Sequence, residues 1–315
     1  MSAVPQRLVI ATRESALAMW QARHVQTRLQ EIHPVLAVDI LGLTTEGDRR
    51  LETSLAKIGG KGLFVKDLED ALARGAADIA VHSMKDVPMD LMRGHVIAAV
   101  VERADPRDAF VSNRYADMAA LPTGARVGTS SLRRESQLKA WRADLHIEPL
   151  RGNVPTRLRK LDEGLYDAIL LAAAGLKRLG LAQRITALLP TEVSLPAAGQ
   201  GAIGIECRAD RADLLELLVP LEHAATALAV RGERALARAL AGSCNVPLGA
   251  FAEVSGDSMR LRGYVGSPDG SRIARAVVEG SALEAEAHGL ALAALLRQAG
   301  ADEILAALES ADVRK

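Results

Sequence analysis

Short apolar runs alternate with helical patterns through the first two thirds of the chain. Leu8 to Ala11 reads as a strand, and Ala18, Ala22, Val25 and Leu29 then recur on one face of a helix. Val35 to Leu43 reads as the next strand, and a helix carrying Leu68 and Leu72 follows Phe64. Asp78–Val81 and Val96–Val101 are predicted strands. The pattern then repeats. Arg126–Gly128 is a short strand, and Thr129, Ser130 and Ser131 supply N-cap chemistry for a helix with Leu138, Trp141 and Leu145. Ile147–Leu150 and Asp167–Ala172 are strands around a helix with Val154, Leu158, Leu161 and Leu165, with Pro155 in its first turn, where proline is tolerated. Alternation of this kind predicts α/β architecture with a largely parallel sheet.

The last third changes character. A long helix is predicted from about His223 to Leu240, then strands near Leu248–Val254, Arg260–Val265 and Arg272–Val278. Ser255-Gly256-Asp257 and Pro268-Asp269-Gly270 are the turns between them. A helical stretch from Leu283 to Leu308 completes an α+β module.

At 315 residues the chain is long enough for two or three domains, and 49% hydrophobic with 25% charged residues is ordinary globular composition. Met1 to Arg7 lacks the pattern of a signal peptide, and no apolar run reaches the ~18 residues of a membrane span. Two cysteines far apart, Cys207 and Cys244, make no disulfide framework, so a reducing cytoplasm is expected. Formal net charge is zero, but residues 103–184 hold 15 Lys or Arg against 9 Asp or Glu. The middle of the chain is therefore basic and suits an anion.

Common signatures fail. Gly59-Gly60-Lys61-Gly62 has Leu55 where a phosphate loop needs its first glycine, and Gly62 where it needs Ser or Thr. Seven scattered histidines give no metal-ligand spacing. Aromatic residues are 3% of the chain, too few for a stacking platform, so no nucleic acid is expected as partner. Arginines fit better. Arg13, Arg133-Arg134, Arg151 with Arg157, and Arg178 each follow a predicted strand end, where ligands bind in open α/β sheets. Guanidinium groups and helix N-termini there favour carboxylates or phosphates. Lys85-Asp86 also follows a strand end, where a carboxylate can stabilise a cation or move a proton. Cys244 lies in a predicted loop, where a thiol can be nucleophilic, whereas Cys207 reads as a buried strand residue.

Taken in order, these segments resemble the porphobilinogen deaminase family over nearly the whole chain. They are Arg13-Glu14-Ser15 with Leu17-Ala18 and Gln21, Gly59-Gly60-Lys61-Gly62-Leu63-Phe64, and His82-Ser83-Met84-Lys85-Asp86-Val87-Pro88. Asp105-Pro106-Arg107-Asp108, Gly128-Thr129-Ser130-Ser131-Leu132-Arg133-Arg134 and Arg151-Gly152-Asn153-Val154 follow. Pro196-Ala197-Ala198-Gly199-Gln200-Gly201 and the Cys244 loop complete the set.

The resemblance implies two doubly wound, periplasmic-binding-protein-like lobes, 1–101 with 202–219 and 102–201, and a small C-terminal α+β domain, 220–315. The active cleft would lie between the lobes. It implies condensation of four porphobilinogen molecules into a linear tetrapyrrole, on a dipyrromethane cofactor joined to Cys244 by a thioether. Asp86, with Lys85 beside it, would be catalytic: loss of ammonia leaves a cationic azafulvene, which a fixed carboxylate stabilises. Ser83, Lys85, Asp86, Thr129, Ser131, Arg133, Arg134, Asn153 and Arg157 would hold the cofactor. Arg13, Ser15, Gln21, Arg151, Arg178 and Gln200 would meet substrate, with Lys61 and Phe64 in a glycine-rich lid. Pro155 and Ser243 depart from the family's usual residues without touching an assigned role. The expected partner is a small molecule alone, with no membrane, and the expected state is a monomer. A non-catalytic two-lobed anion binder is the competing reading, in which Asp86 and Cys244 would be dispensable; a cysteine hydrolase has no histidine paired to Cys244 in the sequence.

Overall fold

A computed structural model describes residues 5–45, 65–240 and 246–312. Two compact units divide the chain, Met1–Ala104 with Ala202–Ala227, and Asp105–Gly201 with Leu228–Lys315.

In the first unit, strands β1 (Arg7–Arg13), β2 (Ala37–Leu43), β3 (Ile79–Ser83), β4 (His95–Val100) and β10 (Ile203–Arg208) form one sheet in the order β2-β1-β3-β10-β4. β1 runs parallel to β2 and β3, but β10 is antiparallel to both β3 and β4. The expectation of a largely parallel sheet holds: β1, β2, β3 and β4 run the same way, and the sheet is mixed through β10, which enters it from residue 202 and runs against them. Helix α1 (Ala16–Ile32) buries Ala22, Val25 and Leu29 on one face, together with Leu214, Leu217 and Leu218. Those three leucines belong to α6 (Ala212–Leu218). Helix α2 (Lys66–Ala73) closes the opposite face with Leu68 and Leu72. Burying each such leucine is worth about 2–3 kcal/mol relative to leaving it exposed.

The second unit holds β5 (Asp108–Val111), β6 (Arg126–Gly128), β7 (His146–Glu148), β8 (Ala168–Ala172) and β9 (Ala187–Leu188), ordered β7-β6-β8-β5-β9. β6 pairs parallel with β7 and β8, and β5 runs antiparallel to β8 and β9. This sheet is mixed as well, since β5 enters it directly after the crossing from the first unit. Helix α3 (Leu132–Trp141) packs Leu138 on one face with Phe110 and Val127. Helices α4 (Val154–Asp162) and α5 (Ala173–Arg178) cover the other with Leu158, Leu161 and Leu176. Trp141 and Leu165, expected on core faces, are exposed, since each lies at or past the end of its helix.

Strands β11 (Leu248–Ser255), β12 (Ser258–Gly266) and β13 (Ile273–Ser281) form an antiparallel meander. Helices α7 (Ala224–Leu240), α8 (Ala285–Gln298) and α9 (Ala301–Asp312) accompany it, and Leu236, Leu261, Leu292 and Ile304 share its core. The expected single C-terminal helical stretch is two helices, broken at Gly300, whose φ of 93° lies in the left-handed region. The small module docks on α3 within the same unit: Ser136 and Tyr264 hydroxyls lie 2.6 Å apart and both residues are buried.

Candidate active site

In the first unit β1 ends at Arg13, and Ser15 caps α1 by accepting the Ala18 N–H at 3.4 Å. Gln21 lies further along α1, buried, and its amide donates to the Ser83 hydroxyl at 2.8 Å. Ser83 ends β3, and Met84–Asp86 make one 3-10 turn closed by Val87 N–H to Met84 C=O at 3.2 Å. The Met84 N–H donates to Ala202 C=O at 3.0 Å, so the turn is tied to the start of β10. Met84 is buried over Gly204; a Cβ added to that glycine would stand 2.1 Å from Met84 Sδ. Asp86 is exposed at the end of this fixed turn. Arg13, Ser15, Gln21, His82, Ser83 and Asp86 line one recess, with apolar Leu17, Val65 and Leu68 among its walls. Lys85 is half-buried beside Asp86 on the same turn.

The second unit is organised around Asp108. This carboxylate is wholly buried at the start of β5. Arg133 donates to it from Nη1 at 2.8 Å and Nη2 at 3.2 Å, and Arg134 from Nε at 3.0 Å and Nη2 at 2.7 Å. Ser194 Oγ donates at 2.7 Å and Gln200 Nε2 at 2.9 Å. Burial works against the charge of Asp108, but the two guanidinium groups outweigh it and hold the carboxyl well below its usual range. The arginines also donate to the carbonyls of Leu195 and Leu170.

Both residues come from the first turn of α3, which Ser131 caps by accepting Arg134 N–H at 3.5 Å. Thr129 accepts the Ser131 N–H at 3.2 Å. Asn153 caps α4 through Thr156 N–H at 3.0 Å, and Arg157 donates back to Gly152 C=O at 2.8 Å. Arg178 donates to Gly201 C=O at 2.7 Å, and burial pushes its guanidinium down to about 10. Arg151 is half-buried at the end of the segment after β7.

Arg13, Ser15, Gln21, Ser83, Lys85 and Asp86 are thus gathered at strand ends of one sheet, and Thr129, Ser131, Arg133 and Arg134 at those of the other. Arg133 and Arg134 are both buried and share Asp108, a partner the sequence did not reveal. Gln200 likewise reaches Asp108 and Pro106 C=O. Lys61, Phe64 and Cys244 lie outside the described residues. Cys207 is buried on β10, as its apolar run suggests, and burial pushes its thiol up to about 11. Asp108, His82 and Glu206 are buried ionisable residues to which sequence reasoning assigned no role.

Comparison with known proteins gives this architecture a family. A sequence family described as "Porphobilinogen deaminase, dipyromethane cofactor binding domain" matches residues 8–216, and "Porphobilinogen deaminase, C-terminal domain" matches 227–298. The chain belongs to the porphobilinogen deaminase family. The porphobilinogen deaminase of Methylobacillus flagellatus is 62% identical over 96% of this chain and 98% of its own. Those of Nitrosomonas europaea and Chromobacterium violaceum are 59% and 60% identical, each over 96% of this chain, and over 99% and 98% of their own. Among solved structures, the methionine-binding protein MetQ is similar at 13% identity with a TM-score of 0.44, over 68% of this chain and 89% of its own. In porphobilinogen deaminase terms, the described recess and the Asp108 cluster both fall in the region matched by the cofactor-binding domain.

Proposed function

We propose that the chain is a transferase of tetrapyrrole biosynthesis that condenses four porphobilinogen molecules head to tail into hydroxymethylbilane, releasing ammonia at each step. The observation that carries this reading is the placement of Asp86: an exposed carboxylate on a pinned turn, beside a recess with Arg13, Ser15 and Gln21. Expulsion of ammonia leaves positive charge on the substrate's pyrrole. A carboxylate already fixed in place stabilises that charge without reorganising. Arg13 and the N-terminal end of α1 at Ser15 suit a substrate carboxylate, and Lys85 adds positive charge next to Asp86.

The described residues suit a polyacidic pyrrole cofactor. One carboxylate, Asp108, is shared by two guanidinium groups, so this cluster keeps a net positive charge. Each guanidinium has five N–H donors, more than its contacts with Asp108 and one carbonyl use. Arg133 and Arg134, with Thr129, Ser131, Asn153 and Arg157, would hold the dipyrromethane carboxylates, with Ser83, Lys85 and Asp86 meeting its pyrroles. Cys244 would carry its thioether. When bound, the cofactor supplies the pyrrole carbon to which the first unit is joined. Arg151, Arg178 and Gln200, with Lys61 and Phe64, would serve the growing chain. The same reading has the enzyme working as a monomer in the cytoplasm.

An intact-mass measurement on protein from cells able to make porphobilinogen tests this. The expected mass exceeds that of the polypeptide by two pyrrole units, the protein colours with an aldehyde reagent for pyrroles, and Cys244→Ser loses both. Asp86→Asn is expected to keep the added mass and lose nearly all turnover. A bare polypeptide mass overturns the cofactor assignment, and normal ammonia release by Asp86→Asn overturns the role of Asp86. A protein that only binds anions would show the bare polypeptide mass and would release no ammonia, with or without Asp86.

A further inference from the structure

Behind the recess lies a group of ionisable side chains with no part in the chemistry above. β3 and β10 pair antiparallel with His82 opposite Gly204 and Ala80 opposite Glu206. His82 and Glu206 are therefore diagonal neighbours on one face of the sheet. His82 Nε2 stands 2.9 Å from Glu206 Oε2, and the two side chains are 4% and 0% exposed. Among the described residues neither Glu206 oxygen accepts a well-aligned hydrogen bond, so this close contact with His82 is its nearest compensation. A lone buried carboxyl group costs several kcal/mol, so the contact with the His82 imidazole matters to where β10 sits against β3.

Other ionisable groups stand close by. Glu69 from α2 is buried nearby; burial raises its pKa, the Met92 N–H it accepts at 2.8 Å lowers it, Glu206 raises it, and His95 and His82 lower it. Among the described residues no group of three such side chains is arranged to hold a metal ion.

His82 is also in the wall of the recess that Asp86 and Arg13 line. The next residue, Ser83, is tied to Gln21, and the one after begins the turn that presents Asp86. We propose that His82, held by Glu206, is a positioning residue for Asp86: the cross-strand pair fixes β3 against β10 where the Asp86 turn begins and sets the imidazole in the wall of the recess. This rests on the reading of Asp86 as the carboxylate that faces substrate.

The test uses the full-length, cofactor-bearing protein, with turnover expressed per cofactor-bearing molecule. His82→Gln keeps an N–H for Glu206 but removes the imidazole; Glu206→Gln removes the carboxyl group and leaves the imidazole. Each is expected to lower kcat by about tenfold or more while KM for porphobilinogen stays within about twofold, the pattern of a lost transition-state interaction. The double variant, an amide facing an amide, is expected to regain most of the urea midpoint and little of the kcat. A kcat that recovers in step with stability makes the pair scaffold only and overturns the proposal. So does a normal kcat in Glu206→Gln, which remains informative if His82→Gln does not fold. Asp86→Asn runs alongside: if it turns over normally, the reading of Asp86 fails, separately from the role of His82.

Discussion

Asp108 Oδ1 accepts the Nη2–H of Arg134 at 2.7 Å, in a cluster almost sealed from solvent. Arg133 completes a carboxylate gripped from two sides by adjacent residues of one helical turn. The placement of α3 on β5 is therefore written in charge as well as in apolar packing.

Removing that carboxylate leaves two buried guanidinium groups without their anion. Asp108→Asn is expected to cost about 3–5 kcal/mol, read as a fall in the urea midpoint. Asp105→Asn, whose partners Arg107 and Lys177 are 42% and 44% exposed, is expected to cost about 1 kcal/mol or less. Equal losses in the two variants would contradict the burial argument.

Acid acts through the same group. The folded Asp108 carboxyl titrates below its ordinary range, so the unfolded chain takes up the proton first, near the usual value of about 4. Its stabilisation is complete above that pH and is lost as pH falls toward the folded value. Glu69 has the opposite sign: burial raises its folded pKa, so its contribution is complete below about pH 4 and is lost as pH rises through the folded value. Urea midpoints measured between pH 3 and 8 should fall less steeply with acid in Asp108→Asn, and less steeply with alkali in Glu69→Gln, than in the wild type.

Gly204→Ala tests the support of the Asp86 turn. The new Cβ would overlap Met84 Sδ, so Met84 must move. A stability loss of about 1–3 kcal/mol is expected, with a larger proportional loss of kcat than of substrate affinity. An unchanged kcat would detach Met84 from the placement of Asp86.

The thiols give a chemical check. Cys207 is buried, with its thiol held at about 11, so it resists alkylation in the native protein at neutral pH. If Cys244 carries a thioether, native protein takes up no iodoacetamide, and unfolded protein takes up one equivalent. Two equivalents after unfolding would show Cys244 unmodified.

The helices were legible because their packing is periodic. Ala22, Val25 and Leu29 mark the face of α1, and Ser131 and Asn153 mark two starts by chemistry that acts over three residues. Strand direction was not legible. β10 announced itself only through Cys207 as a buried strand residue, β5 was not predicted as a strand, and only their neighbours in space set their sense. The same limit hid the ion pairs. Asp108 meets Arg133, and His82 meets Glu206, across long stretches of chain, and a local pattern cannot distinguish a buried carboxylate from an exposed one. The arginines were placed at the correct strand ends, but their internal partner was missed for this reason.

β10 sits between β3 and β4 and bonds to both, yet its residues follow the whole of the second unit's sheet in the sequence. On the ribosome, the lobe that starts the chain must wait with a gap in its middle while the later lobe already has all its strands. The sheet that is begun first is thus completed only after the five-stranded sheet of the second unit, and a fragment ending before residue 203 would lack the strand that carries Glu206 and backs the Asp86 turn.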